Sequence, residues 1–497
     1  MLLKEILKDI DFTVVQGENI DKINIESIYS NHKQDVENGL FVCIAGLNFD
    51  GHNYVNELKK TKVLIIQNNI KINNKNQIVL KVKNTRKTFA YLVSNFNNNL
   101  EQDFKIIGIT GTSGKTSTTL IIQSILNYNK EKCAIIGTIN NQIDGKEIPV
   151  KITTVTTPDI FEIYQILNYI RQNDVKTIAM EVTAHALALN RVEKFKFEVA
   201  VFTNLSPDHL DYFETMERYK ETKFQLFKQA KYSVLNIDDP VGKEFYNRIE
   251  NNKISFSTMN QNADIYATNI NMTIKGIYFD LYYKGKLYKN IYTNLVGKFA
   301  IYNILSGISA TLCYGIDINT IIEAIKNVKQ INGRCEIIKT NKDFSAIIDY
   351  AHTEKEMIGI LQTVKEFTKG KIICIFGGGG FRYEGKHFTM GKASGKYADF
   401  TIITTDNPRG DDINKINNYI KDGIIEGRKE NKNASSSEEF YKIILDREEA
   451  IKYAISIAKT GDTILCCGKG HETYQVYENG RKEYFSEHDI LNKLMNE

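Results

Sequence analysis

Ile106-Ile107-Gly108-Ile109-Thr110-Gly111-Thr112-Ser113-Gly114-Lys115-Thr116-Ser117 is an apolar run that enters a glycine-rich turn, a lysine, a hydroxyl and then a helix-like segment. The order reads as a strand, a phosphate-binding loop and the start of a helix. Glycines let backbone N–H groups converge on phosphate oxygens, and the helix behind them presents its positive end. In such a loop Lys115 neutralises the β- and γ-phosphates of ATP and Thr116 ligates Mg²⁺, with Gly111, Thr112, Ser113, Gly114 and Ser117 completing the cradle. The loop is shorter than the usual G-x-x-x-x-G-K-[ST], because position 109 is isoleucine and the first usable glycine is Gly111. A strand-to-helix turn that merely contains Gly-Lys-Thr is the alternative. The correct pattern on both flanks argues against it.

From Phe104 onward, strand-like runs alternate with helical periods, as a parallel sheet with crossover helices requires. The runs Thr177-Ile178-Ala179-Met180, Val199-Ala200-Val201-Phe202 and Ser233-Val234-Leu235 end in Glu181, in Thr203-Asn204 and in Asn236 with Asp238-Asp239. Ligands bind at the carboxyl ends of strands in open α/β sheets, so these ends and Gly111 are expected around one nucleotide. A tyrosine-rich alternation over 277–283 and 286–288, broken by Lys284-Gly285, reads as a β-hairpin on one flank. After Gly333-Arg334 a second series begins, with strands at 346–350, 372–376, 400–403 and 463–466, a Rossmann-like pattern without G-x-G-x-x-G. Ahead of Phe104, short apolar runs at 40–45, 63–66 and 77–82 and a helix-like segment at 89–100 make a small module. The polar stretch 431–439 reads as a loop.

The expectation is an α/β chain of three domains. Residues 1–103 form a small N-terminal α/β domain, 104–331 a central P-loop ATPase domain with a mainly parallel sheet, and 332–497 a C-terminal Rossmann-like domain. Length agrees, since 497 residues at ~150 per domain make about three. Hydrophobic content of 42%, charged content of 25% and a net charge of +4 are those of an ordinary globular protein. Basic residues are dispersed among acids, so no nucleic-acid footprint is expected. The amphipathic start Met1-Leu2-Leu3-Lys4-Glu5-Ile6-Leu7-Lys8 lacks a signal-peptide core, and no apolar run is long enough for a bilayer. A cytoplasmic protein without membrane association is expected. Seven irregularly placed cysteines with no C-x-x-C pair, among them Cys374, Cys466 and Cys467 in apolar runs, fit reduced buried thiols rather than zinc ligands.

Six ordered motifs resemble the Mur ligase family: 111–117, Met180-Glu181-Val182-Thr183-Ala184-His185-Ala186-Leu187, 202–211, Gly333-Arg334, Asp349-Tyr350-Ala351-His352-Thr353 and Gly468-Lys469-Gly470-His471-Glu472. The resemblance runs nearly the whole length. Asp406-Asn407-Pro408-Arg409 is similar to the sequence carried by meso-diaminopimelate-adding members where lysine-adding members differ. The chain departs from the family elsewhere. Asn31-His32-Lys33 stands where Asp-Ser-Arg lies beside uridine, Leu189 replaces a glutamine, and Phe381-Arg382-Tyr383 replaces Asp-Arg-Asp. Glu354 replaces a proline, and Ala300 replaces the first asparagine of an element that keeps Asn303.

The resemblance implies an ATP-dependent ligase of peptidoglycan precursor synthesis. It would add a diamino acid, meso-diaminopimelate or an isostere such as lanthionine, to UDP-N-acetylmuramoyl-L-alanyl-D-glutamate through an acyl phosphate. A carboxylate at a strand end facing a phosphate loop is the usual partner for the metal, which pairs Thr116 with Glu181. The resemblance adds His209 and Lys223 for a second metal, the lysine as a carbamate, so that Lys115, Glu181, His209 and Lys223 carry catalysis. Without it Lys223, in Tyr219-Lys220-Glu221-Thr222-Lys223-Phe224, is a solvated helix lysine. His185 and His209 stay open between core, cap and site.

By the same resemblance Asn303, Arg334 and Asp349 hold adenine, phosphate and ribose, against plain polar contacts or exposed ion pairs. The UDP-MurNAc-dipeptide falls to His32, Thr156, Thr157, Thr183 and Arg191. The diamino acid falls to Arg382, Asp406, Asn407, Pro408, Arg409, Gly468 and Glu472. An arginine fork would take its distal carboxylate and Glu472 its ammonium, whereas a lysine acceptor leaves the arginine unmet. Asp-Asn-Pro is also ordinary turn chemistry, though a turn needs no arginine. A monomer acting on these small molecules is expected, closing about a hinge near 331–333. Two alternatives remain: a folylpolyglutamate synthetase-like ligase, which lacks the separate first domain and the 406–409 motif, and a regulatory P-loop protein that binds ATP without ligating.

Overall fold

The strand Lys105–Thr110 is buried from Ile106 onward because parallel neighbours flank it on both edges, Thr177–Glu181 and Phe197–Phe202. It belongs to a computed structural model that describes residues 1–46, 49–250, 252–381, 384–431 and 439–496. The expected loop at 431–439 lies almost wholly outside the described residues. The chain divides into two compact units, one made of Met1–Ser255 with Ser309–Ile316, the other of Phe256–Ile308 with Asp317–Glu497.

The first unit holds two sheets. In the N-terminal one the order is Thr13–Gln16, Ile78–Lys81, Val63–Ile66, Gly39–Val42, Ser27–Tyr29, all pairs parallel except the first. The helix expected at 89–100 runs instead over Thr85–Phe96. Asn84 starts it by accepting from Lys87 N–H, and Asn98 and Asn99 end it at φ +55° and +54°, a region asparagine tolerates. The larger sheet runs Ala230–Asn236, Phe197–Phe202, Lys105–Thr110, Thr177–Glu181, Cys133–Ile136, all parallel, with short antiparallel additions at Gln142–Ile143 and Lys146–Glu147.

A buried carboxylate ties the two parts of this unit together. Ser94 Oγ and Tyr164 OH donate to the two oxygens of Glu101, at 2.8 and 2.7 Å. Glu101 and Tyr164 are each 2% exposed, so deleting the hydroxyl would strand a buried acceptor. Tyr164→Phe is expected to cost about 1–3 kcal/mol, read as a shifted urea midpoint at constant slope. An unchanged midpoint would remove Glu101 from the stability of the unit.

The second unit opens on an antiparallel meander, Ile265–Thr273, Gly276–Tyr283 and Lys286–Thr293. The expected hairpin is present, and an asparagine-rich strand that the sequence alone did not reveal precedes it. Its other sheet has the order Glu336–Ile338, Ser345–Asp349, Thr463–Cys467, Ile372–Phe376, Phe400–Ile403, Tyr441–Ile443, parallel except the first pair. Thr463–Cys467 and Ile372–Phe376 are buried at every position, as central parallel strands are. Cys374, Cys466 and Cys467 are unpaired buried thiols. Among the described residues no helix is long and apolar enough to cross a membrane.

Candidate functional site

Gly111 leaves the first strand of the loop at φ +150°, where a Cβ would stand 1.9 Å from Thr203 Oγ1. Only glycine fits there. Residues 203–206 brace the loop from outside. Thr112 N–H donates to Asn204 O at 2.9 Å and Ser113 N–H to Asn204 Oδ1 at 3.1 Å. Thr203 Oγ1 and Asn204 Nδ2 donate to Ser113 O at 2.7 and 3.0 Å, and Ser206 N–H donates to Thr112 Oγ1 at 3.0 Å. Helix Lys115–Tyr128 then starts with Thr116 and Ser117 buried in its first turn.

Two lysines converge on this loop. Lys115 Nζ donates to Gly111 O at 3.0 Å and Thr112 O at 2.8 Å. Lys223 Nζ reaches the same Gly111 carbonyl at 2.9 Å. The solvated reading of Lys223 is therefore overturned: it is 1% exposed, on the face of Met216–Lys228 that also buries Tyr219 and Phe227, with its ammonium 4.5 Å from the Tyr219 ring centroid. Spacing of four residues in each direction puts the three on one stripe. Burial first, and the Lys115 charge second, hold the Lys223 ammonium well below the ordinary lysine value, with Asp208 opposing. The Lys115 cation beside a buried amine makes a site that favours anions.

His209 stands at the head of the turn Leu210–Phe213 with φ +53°, its Nε2 3.4 Å from Asp208 Oδ2. Burial lowers its pKa, Asp208 opposes, and Lys115 and Lys223 add to the lowering. The His185 ring lies 4.9 Å away, edge-on, and is pushed down to about 4 by burial first and by His209 next.

Glu181 ends its strand 1% exposed, Oε1 accepting from Thr138 N–H and Oε2 from Thr138 Oγ1, both at 2.9 Å. Thr138 Oγ1 is 2.9 Å from Thr156 Oγ1. Thr157 Oγ1 donates to Glu181 O at 2.9 Å and accepts from Thr183 N–H at 3.0 Å, while Arg191 Nη1 donates to Thr157 O at 2.8 Å. Thr156, Thr157, Thr183 and Arg191 thus form one chain of contacts with Glu181. Thr156 has φ +74°, an outlier for a β-branched residue, and such strain concentrates at functional sites. A small cavity beside Arg191 is lined by Asp159, Arg86 and Ser30. His32 is placed differently, in a cluster of near-parallel rings with Tyr54 at 4.1 Å and Phe49 at 5.3 Å, its Nδ1 without a partner among the described residues.

The donor set fits Mg²⁺ chemically. Thr116 and Glu181 offer hard oxygens, and Mg²⁺ characteristically combines one or two carboxylates with phosphate oxygens. The space beside Glu181 is kept clear by Gly137, where a Cβ would lie 2.4 Å from Oε1. Among the described residues no three His, Cys, Asp or Glu side chains group as a ready-made cage.

In the second unit, Asp406-Asn407-Pro408-Arg409 follows Phe400–Ile403, and Gly468 to Glu472 follow Thr463–Cys467. Fully buried Lys469 joins the two loops: Nζ donates to Asn407 Oδ1 at 3.0 Å, to Glu472 Oε2 at 2.6 Å and to Tyr474 O. Asn407 Nδ2 donates to the same Glu472 oxygen at 2.9 Å. Arg409, half-buried at φ +54°, donates through N–H to Val476 O at 3.0 Å and through Nη1 to Gly380 O at 3.3 Å. Pro408 O accepts from Asp411 N–H at 2.9 Å, so the turn is real and the arginine sits on it. Arg382 lies outside the described residues.

Nearby, Asp349 accepts from Cys335 and Ala351 N–H groups, both at 2.7 Å, and its backbone O accepts from Gly468 N–H at 3.1 Å. Burial pushes its carboxyl up to about 6 against the pull of Arg334, whose guanidinium lies 4.7 Å from the Tyr350 ring centroid. Helix Lys298–Tyr314 carries Asn303. Thr138 on Glu181 escaped sequence reasoning, which placed Thr203-Asn204 near the nucleotide without their bracing role and Lys469 within a motif without a role of its own. Lys469 had a local signal, a lysine between two glycines directly after a buried strand.

Residues 109–311 match the family model of the Mur ligase middle domain, and 333–470 that of the Mur ligase glutamate ligase domain. The chain is 37% identical over 503 residues to UDP-N-acetylmuramoyl-L-alanyl-D-glutamate–2,6-diaminopimelate ligase 1 of Clostridium acetobutylicum, covering 100% of both. To the ligase of that name from Alkaliphilus oremlandii it is 38% identical over 493 residues, covering 99% of this chain and 98% of the relative. A solved structure of a UDP-N-acetylmuramoyl-L-alanyl-D-glutamate–2,6-diaminopimelate ligase shares the fold at a TM-score of 0.70 and 24% identity, over 100% of this chain and 98% of that one.

Proposed function

The chain belongs to the Mur ligase family, and on that premise we propose that it joins a diamino acid to UDP-N-acetylmuramoyl-L-alanyl-D-glutamate at the expense of ATP. The observation that carries this reading is the convergence of Lys115 and Lys223 on the Gly111 carbonyl, which puts a cation and a buried amine open to carbamylation beside the loop where a γ-phosphate would meet a carboxylate. Full-length similarity to diaminopimelate ligases supports the substrates. In this reading 1–103 binds the nucleotide sugar, 104–331 binds ATP and 332–497 binds the amino acid.

The substrate carboxylate attacks the γ-phosphorus and ADP leaves, giving an acyl phosphate. The amine then attacks the acyl carbon, loses a proton and expels phosphate. Lys115 orients the phosphates, while Thr156, Thr157, Thr183 and Arg191 hold the peptide end of the nucleotide sugar. Thr116, Glu181, His209 and Lys223, the last as its carbamate, would hold Mg²⁺, which when bound supplies positive charge between phosphate and carboxylate. Lys223 suits carbamylation because it is buried and, by burial first, its ammonium is held well below the ordinary lysine value. An uncharged amine adds CO₂ through a new N–C bond, releases a proton to solvent and becomes the anion this site favours. Arg409 and Glu472 bind the distal carboxylate and ammonium of the acceptor, with Lys469 holding Glu472 in place.

Phosphate release with ATP, Mg²⁺ and UDP-N-acetylmuramoyl-L-alanyl-D-glutamate, comparing meso-diaminopimelate, lanthionine and L-lysine, tests the reading. Turnover is expected with the first two. Turnover independent of any acceptor would instead favour a regulatory ATPase. Gly111→Ala is expected to weaken ATP binding by about tenfold or more, since overpacking costs about 1–3 kcal/mol and about 1.4 kcal/mol is tenfold. Calorimetric titration returning wild-type affinity would remove this loop from the ATP site.

A further inference from the structure

The two loops of the amino-acid pocket leave strands that are not neighbours. Ile372–Phe376 lies between Thr463–Cys467 and Phe400–Ile403, so no ladder bond fixes one loop against the other. Arg447 spans the gap. It opens the helix Arg447–Ile457, is 2% exposed, and donates through Nη1 to Thr405 O at 3.4 Å and through Nη2 to Cys467 O at 2.6 Å. These carbonyls immediately precede Asp406 and Gly468. Its Nε donates to Oε1 of fully buried Glu487 at 2.9 Å, at the start of the helix Glu487–Asn496. Gln475 Nε2 also reaches Thr405 O and Asp406 O, at 3.2 and 3.1 Å, and Lys469 Nζ reaches Asn407 Oδ1 at 3.0 Å, but Lys469 lies within the Gly468–Glu472 loop and Gln475 follows it, so both shift with it. Arg447 is anchored outside both loops.

A buried ion pair is weak evidence of stabilisation, since apolar residues of similar volume often do as well or better. What distinguishes arginine here is its planar fork, which sends separate donors to three acceptors. We propose that Arg447 is a positioning residue for the diamino-acid pocket: its guanidinium sets the separation of the 406–409 and 468–472 loops, and so the spacing at which they grip the two charged groups of the acceptor. The inference rests on reading those loops as the acceptor site.

The double variant R447M/E487M removes the fork and both buried charges together, which keeps the fold from carrying an unpaired ion. Its KM for meso-diaminopimelate is expected to rise about tenfold or more, with KM for ATP within about twofold, because misplacement of positioning groups acts on the group positioned. Amide hydrogen exchange is expected to quicken at 405–409 and 468–472 together, and R447K, with one donor centre, is expected to show the same split. A folded double variant with wild-type KM and wild-type exchange at both loops would overturn the proposal, as would equal rises in every KM. If the wild-type protein ligates no diamino acid, the functional reading falls, while exchange still decides whether Arg447 couples the loops.

Discussion

Lys223→Ala is expected to lower kcat by about 10³-fold or more while leaving the fold and ATP affinity close to wild type, since groups aimed at developing charge commonly contribute about 10²–10³ each and here the anionic arm of the site is lost. The fold should survive because, among the described residues, the one hydrogen bond the Lys223 amine makes is to the Gly111 carbonyl, at 2.9 Å. Lys223→Arg discriminates between explanations. Arginine keeps a positive charge at the loop but forms no carbamate under these conditions. If Lys223 acts as an ammonium on the phosphates, arginine should retain a substantial part of the activity; if it acts as a carbamate, arginine should be as inactive as alanine. Depleting CO₂ from wild-type enzyme should lower turnover, and bicarbonate should restore it. An active Lys223→Arg enzyme, indifferent to bicarbonate, would sink the carbamate.

Lys223 also shows where sequence stops being legible. The phosphate loop can be read directly, because strand, glycines, lysine and hydroxyl are contiguous and each has a local reason to be there. A helix lysine carries no such mark. Tyr219, Lys223 and Phe227 do share a stripe, but which stripe faces inward depends on the packing of Met216–Lys228, and charge alone argues for the outer face. Arg447 is harder still. In Asp446-Arg447-Glu448-Glu449 it resembles an exposed helix start, and only the meeting of two strand ends with the last helix buries it. The helix at Thr85–Phe96 was displaced in the sequence reading because its boundaries are set by asparagine caps rather than by apolar period. Strand Ile265–Thr273 was missed because its asparagines weaken the alternation, while pairing with Gly276–Tyr283 supplies what propensity lacks.

Arg409→Ala is expected to raise KM for meso-diaminopimelate by about 10–100-fold, the loss of a charge-assisted contact of about 1.5–3 kcal/mol, with KM for ATP little changed. Arg409 sits at φ +54° with its N–H bound to Val476 O, so backbone strain and lost recognition have to be separated. Arg409→Gly does this, because glycine takes that conformation freely and should show the same rise in KM. Arg409→Lys restores charge without the planar fork and should recover only part of it. The acceptor itself provides the sharpest comparison. L-Lysine has no distal carboxylate, so in wild-type enzyme it would leave the Arg409 fork without an anion, with the Gly380 carbonyl on Nη1, a penalty that sites built around a polar group use to reject analogues. Removing the guanidinium removes that penalty, so the preference for diaminopimelate over lysine should shrink mainly because diaminopimelate is used less well. Equal effects on the KM values for ATP and diamino acid would place Arg409 in the framework of the loop, with the acceptor carboxylate bound elsewhere.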